Sequence, residues 1–337
     1  MSELERAVRR IDRAQQRHLV PGLIVGVAKK YGDDAAGTLV TNLAFSSFLT
    51  IFPLLLLVVT VLGLILTSYP SLRQELINST FSQIPLIGHD LSSNLQALHR
   101  NSLIGLVVAL VFLLWGSLGL AQNGIYTMEQ IWNLPGIHRS NFLARLGRSA
   151  EFLAVLAVGF SASTVLSAIG TNSAGRSLVW DVTAVGGSLV LNCTEFIVAY
   201  RVLTPPVVKT RPLLPGAIVG GVGWTLLQTL GTYLVGRVLR NESAVYGTFA
   251  VVLGLIFWIS LAVRLVVYTA ELNVVLDRRL WPRSIVQPPL TDADRKVLAA
   301  QAIQNQRRPE QRVRVTFEDP DDQAASDRAG GEGTPSH

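Results

Sequence analysis

Cysteine is almost missing from this chain of 337 residues, in which Cys193 stands alone. No disulfide framework and no thiolate metal cluster can be built from one thiol. In its apolar run, Cys193 reads as a small buried side chain. Histidine is sparse too. His18, His89, His99, His138 and His337 are scattered, and none belongs to a dense ligand motif. No Walker loop, nucleophile elbow or zinc spacing is present. Metal-assisted hydrolysis needs clustered His, Asp or Glu ligands. The sequence therefore predicts no enzyme, no metal and no cofactor. Charge is the third scarcity, with Asp, Glu, Lys and Arg making up 15% of the residues against about 25% in a soluble domain.

What is abundant is apolar surface. Hydrophobic residues account for 49% of the chain, and the mean hydropathy is +0.39. Residues 35–72, 101–128, 152–175 and 212–236 carry no charge at all. About 20 apolar residues span a bilayer as a helix. The expected class is all-α: a polytopic membrane protein with six transmembrane helices and short surface helices. The spans are expected near 40–66, 103–123, 151–171, 182–200, 213–236 and 245–270. Pro53 falls inside the first, where a proline is tolerated and predicts a kink.

Three regions are expected. Residues 1–34 form a basic lead, 35–280 the membrane domain, and 281–337 a polar tail that is largely disordered, since it offers few apolar residues to bury. In the lead, Leu4, Val8 and Ile11 recur at helical spacing between Arg6, Arg9, Arg10, Arg13 and Arg17. That pattern predicts a helix lying on a membrane surface or a solvated one. No cleavable signal peptide is expected, because the short apolar piece after it ends in Lys29-Lys30. With the N-terminus inside, the inner connections hold eighteen Lys and Arg residues and the outer ones five. The positive-inside rule then places both termini in the cytoplasm. The outer connection near 70–100 is expected to carry an amphipathic helix through Leu91, Leu95 and Leu98. The formal net charge of +6 points to anionic lipid at the cytoplasmic face, with the bilayer as the main partner and nucleic acid not expected.

Polar groups inside the apolar runs are the candidate functional residues. Glu195 lies six residues before Arg201, or about 9 Å inside the inner helix end. A carboxylate at a span centre costs about 2.5–3.5 kcal/mol, and less near the edge. Arg264, Tyr268 and Glu271 are spaced i, i+4, i+7 and share one stripe. Arg264 needs protein or water around it, with Glu271 or Glu195 as the candidate partner and Asn192 and Asn273 as further members. Glu195, Arg264, Tyr268, Glu271 and Asn273 thus form a candidate intramembrane polar network. It reads either as a polar path or as a buried structural network, and the sequence leaves both open. Gly216, Gly220, Gly221 and Gly223 predict close helix packing.

Several stretches together resemble the YihY/BrkB family of bacterial inner-membrane proteins. They are FSSFLTIFPLLLLVV (45–59), IWNLPG (131–136), YRVLTPP (200–206), RPLLPGAIVGGVGWTLLQ (211–228), YGTFAVVLGLIFW (246–258) and YTAELNVVL (268–276). The resemblance covers about 30–280 and implies six helical spans. It carries a historical ribonuclease label, a virulence-factor label and suggestions of transport. Tyr246-Gly247 and Glu271-Leu272-Asn273 match motif positions, whereas Glu129-Gln130 stands where the family pattern implies an asparagine. Two functions follow: a transporter or exporter of unidentified substrate, or a non-transporting scaffold or envelope-assembly partner.

Overall fold

The computed structural model describes residues 3–68, 102–136, 142–171, 178–238, 247–287 and 289–317. The predicted outer helix with Leu91, Leu95 and Leu98, the motif residue Tyr246 and the end of the tail lie outside these. Every regular element among the described residues is helical. They are α1 (Glu3–Arg17), α2 (Leu19–Asp33), α3 (Ala36–Ser68), α4 (Ser102–Ile131), α5 (Phe142–Thr171), α6 (Leu178–Leu203), a 3₁₀ turn (Arg211–Leu213), α7 (Leu214–Val238), α8 (Gly247–Arg278) and α9 (Asp292–Gln304). A helix stands at each of the six expected span positions. Among the described residues, three stretches are long and apolar enough to cross a membrane: Ala36–Leu54, Arg211–Gly231 and Val252–Arg278.

The chain divides into two compact units. The larger comprises residues 31–132 and 140–277, and it holds the long helices α3 to α8. Consecutive helices from α3 to α7 pack on one another. Helix α3 is continuous through Pro53. Ahead of the proline, the Thr50 hydroxyl donates to the Ser46 carbonyl at 2.7 Å and also lies 3.1 Å from the Gly116 carbonyl of α4. Glycines set the closest approaches in this unit. A Cβ added at Gly221 would lie 2.7 Å from the Cys193 backbone of α6, and one at Gly220 would lie 2.5 Å from the Phe196 ring. At Gly216 it would lie 2.0 Å from the Thr269 carbonyl of α8. The glycine run of α7 is therefore a packing surface against two helices, as its small-residue spacing predicts. Apolar side chains such as Phe45, Leu49 and Phe52 of α3 and Val107, Val111 and Trp115 of α4 are exposed. A bilayer is the environment that suits such faces.

The smaller unit gathers residues 1–30, 133–139 and 278–337. Two aspartates hold it together. Asp294 is wholly buried and pairs with Arg283 at 2.8 Å and Lys29 at 3.3 Å. It also accepts from the Ser284 hydroxyl at 2.8 Å and the Thr291 hydroxyl at 2.8 Å. Thr291 and Asp294 form a capping box at the start of α9, which satisfies two otherwise unbonded N–H groups. Asp12 of α1 accepts from the backbone N–H of Ile285 at 2.9 Å and from Gln15 at 3.0 Å. Gln15 in turn donates to the Arg283 carbonyl at 2.7 Å. Burial alone would raise both carboxyls. The hydrogen bonds outweigh it, with Ile285 and Gln15 acting on Asp12 and Thr291, Arg283 and Ser284 on Asp294, and hold both below the ordinary carboxylate range. The tail predicted to be largely disordered from 281 thus includes the α9 helix. Charge-assisted bonds anchor it, and Ala293 and Val297 of α9 are buried beside them.

Candidate functional site

The predicted network lies within the larger unit, and the structure divides it. On α8 the spacing of Arg264, Tyr268 and Glu271 does place them along one stripe, and that stripe faces Tyr31 of α2. The Tyr31 and Tyr268 rings stack with centroids 4.3 Å apart and planes 14° from parallel. Burial raises the Tyr31 phenol above its ordinary value. The neighbouring Tyr268 adds to that rise, Arg264 opposes it and Glu271 adds to it. Arg264 and Tyr268 are exposed, whereas Glu271 is wholly buried. An aromatic pair, a guanidinium and a buried carboxylate therefore converge at one place. Tyr31 was not among the expected residues. The signal for it was weak, since it sits in a Lys-Tyr-Gly stretch outside every apolar run.

Glu195 is elsewhere. It is half-buried on α6, and its carboxyl lies against Gly159 of α5. A Cβ at Gly159 would come within 2.5 Å of that carboxyl. The absence of a side chain at Gly159 is what makes room for the carboxyl group. Among the described residues neither Glu195 nor Arg264 forms an ion pair, so the expected Glu195–Arg264 link across helices is not made.

Asn273 belongs to a third cluster. Its amide oxygen accepts from the Gly216 N–H at 2.6 Å. Gly216 is in the first turn of α7, where N–H groups lack helical partners, so Asn273 caps that helix from α8. One turn along α8, Thr269 meets the buried Tyr200 of α6, whose hydroxyl lies 2.6 Å from the Thr269 hydroxyl and donates to the Val266 carbonyl at 2.8 Å. Asn192 of α6 donates to the Thr225 hydroxyl at 3.0 Å and to Gln228 of α7 at 3.4 Å. These bonds give α6, α7 and α8 a polar spine. They satisfy buried groups, which is a structural task.

Arg148 of α5 was also not anticipated. It donates to the carbonyls of Val202 at 3.0 Å and Leu203 at 2.7 Å. These are the last carbonyls of α6, where a cation is favoured. Buried Glu129 of α4 acts on Arg148 electrostatically. The acid that departs from the expected asparagine is thus part of this charged group.

A family model described as "Virulence factor BrkB" matches residues 27–290. This chain belongs to the BrkB family. It is 20% identical over 287 residues to the inner membrane protein YhjD of Escherichia coli (strain K12), covering 80% of this chain and 85% of that protein. It is 28% identical over 101 residues to the putative ribonuclease-like protein YfkH of Bacillus subtilis (strain 168). That match covers 30% of this chain and 36% of YfkH. No solved structure matches. Family membership and the long apolar helices make this a membrane protein, and the residues that carried the resemblance to the BrkB family all fall within the matched range.

Proposed function

We propose that this BrkB protein is a six-span transporter or exporter of the bacterial inner membrane, without enzymatic activity, and with both termini in the cytoplasm. The six spans are α3 to α8. The smaller unit supports an even count, because Asp12 and Lys29, before the first span, bond to Ile285 and Asp294, after the last. Bonded groups share one side of a membrane, so the chain between them crosses an even number of times. The excess of Lys and Arg in the connections on that side assigns it to the cytoplasm.

The observation that carries transport is the exposed guanidinium of Arg264 within the apolar stretch Val252–Arg278. A charged side chain at such a place faces water or protein rather than lipid. Beside it Tyr268, exposed and stacked on Tyr31, is a group able to meet a polar solute, while Glu271 is buried. To test this, Cys193 is replaced and single cysteines are introduced at Leu261, Arg264 and Tyr268. Each is labelled with a membrane-impermeant thiol reagent from either side of sealed vesicles. Transport predicts labelling at 261, 264 and 268, which share one exposed face of α8. Protection at all three, with loop cysteines reacting, would refute the water-lined path. The same stripe would then be a contact for another protein, which is the scaffold reading.

A further inference from the structure

The smaller unit leaves one surface uncovered, and its chemistry is specific. Arg6, Arg10, Arg13 and Arg17 are spaced by four, three and four residues. At 100° per residue they fall on one stripe of α1, and all four are exposed. The opposite face of α1 is engaged, with Asp12 and Gln15 buried and bonded to residues 283 and 285. The sequence pattern of Leu4, Val8 and Ile11 predicts a helix lying on a membrane surface or a solvated one. In the structure the arginine face of α1 is exposed. The chain then turns at His18, whose N–H bonds to the Gln15 carbonyl, and α2 begins. Gly22 and Gly26 are buried, and a Cβ added at Gly22 would lie 3.3 Å from the Gln15 carbonyl. The other side of α2 is apolar and open, with Leu19 at 66%, Val20 at 63% and Ile24 at 63% exposure. Residues 17–21 are exposed without interruption.

We infer that this corner is a membrane foot: Leu19, Val20 and Ile24 enter the acyl-chain boundary of an anionic phospholipid surface, and the arginine stripe binds its headgroup phosphates. Apolar residues alone would fit any apolar partner, and arginines alone any polyanion. Their junction across one turn fits a surface that is apolar below and anionic above. The chain itself supplies proximity to such a surface, because α2 ends two residues before the membrane-length helix α3. This inference rests on membrane residence only, and stands whether or not the protein transports anything.

The test uses the full chain with Cys193→Ala and Val20→Cys, labelled with an environment-sensitive fluorophore. It is placed in nanodiscs of phosphatidylcholine, with or without phosphatidylglycerol. The expected result is a blue-shifted probe, quenched by acyl-brominated lipid in the phosphatidylglycerol discs and shielded from aqueous iodide. Arg10→Gln, Arg13→Gln and Arg17→Gln should each lower the docked-to-free ratio about fivefold, the factor that corresponds to about 1 kcal/mol per basic residue near an anionic surface. These side chains are exposed, so the variants keep the fold, and unchanged gel-filtration profiles verify that. Iodide quenching equal in both discs would overturn the proposal. So would shielding from both quenchers, which means that a protein, including a second copy, covers the corner. Docking indifferent to phosphatidylglycerol and to the arginines would overturn it as well.

Discussion

Replacing Gly216 by alanine should unfasten α7 from α8. The added Cβ would lie 2.0 Å from the Thr269 carbonyl oxygen and 2.6 Å from the Asn273 amide oxygen. Van der Waals contact for such a pair begins near 3.4 Å, so the helices must separate by more than 1 Å or distort. The Thr269 carbonyl is backbone and cannot rotate away. Overpacking of a tight core costs about 1–3 kcal/mol. The separation also breaks the bond from the Gly216 N–H to Asn273, which leaves both groups buried and unsatisfied at about 1–3 kcal/mol. Together the loss is about 2–6 kcal/mol against a total stability of roughly 5–15 kcal/mol. Gly147 and Gly254 meet nothing within 4 Å, so alanine there should be neutral, or stabilising by about 1 kcal/mol through helix propensity. The assay is thermal unfolding in detergent, read as the fraction of protein that stays monodisperse. The expected order is Gly216→Ala far below wild type, with Gly147→Ala and Gly254→Ala at or above it. A wild-type melting curve for Gly216→Ala would refute the helix contact and the capping role of Asn273 together.

Other outcomes follow from the same geometry. Asp294→Asn leaves buried Arg283 facing a neutral amide, and should destabilise the smaller unit by about 3–5 kcal/mol, seen as lost hydrogen-exchange protection in α1 and α9. Asp12 and Asp294 have folded pKa values below the unfolded value of 3.8. Their stabilisation is therefore complete above that value and declines as pH falls below it. Protection of α1 should hold at about pH 5 and fall from about pH 4 downward, and loss only at alkaline pH would contradict the assignment. Tyr200→Phe removes a hydroxyl bonded to Thr269 and Val266, at about 1–3 kcal/mol, measurable by the same thermal assay. Gly159→Ala crowds the Glu195 carboxyl and should cost about 1–3 kcal/mol. Glu195→Ala should cancel most of that, and strict additivity of the two changes would disprove the contact.

The helices were legible because lipid solvation imposes long uncharged runs: a helix stands at each expected position, and α3, α7 and α8 carry stretches long and apolar enough to cross a membrane. The stripe of Arg264, Tyr268 and Glu271 was legible because helical spacing alone defines it. Partners across helices were not. Nothing in the sequence says that Gly159 rather than a basic residue receives Glu195, since that depends on how α5 and α6 are rotated. The correction at Asn273 has the same origin, because a cap on a neighbouring helix has no local signature. Asp294 could have been found, since Thr291 and Asp294 hold capping-box spacing ahead of an apolar helix pattern. The same pattern would have placed a helix inside the tail expected to be disordered. Tyr31 and Arg148 act through contacts distant in sequence and had no such signal.

The stitching of the smaller unit bears on how the chain is made. Gln15 and Arg283 are bonded across 268 residues of sequence. At a synthesis rate of about 5–20 residues per second, α1 waits on the order of tens of seconds for its partner. Throughout that interval Asp12 and Lys29 lack Ile285 and Asp294. The last bonds of this protein therefore form only after every membrane helix has been threaded. A chain truncated before residue 283 would leave Asp12, Gln15 and Lys29 without the bonds that Arg283, Ile285 and Asp294 supply.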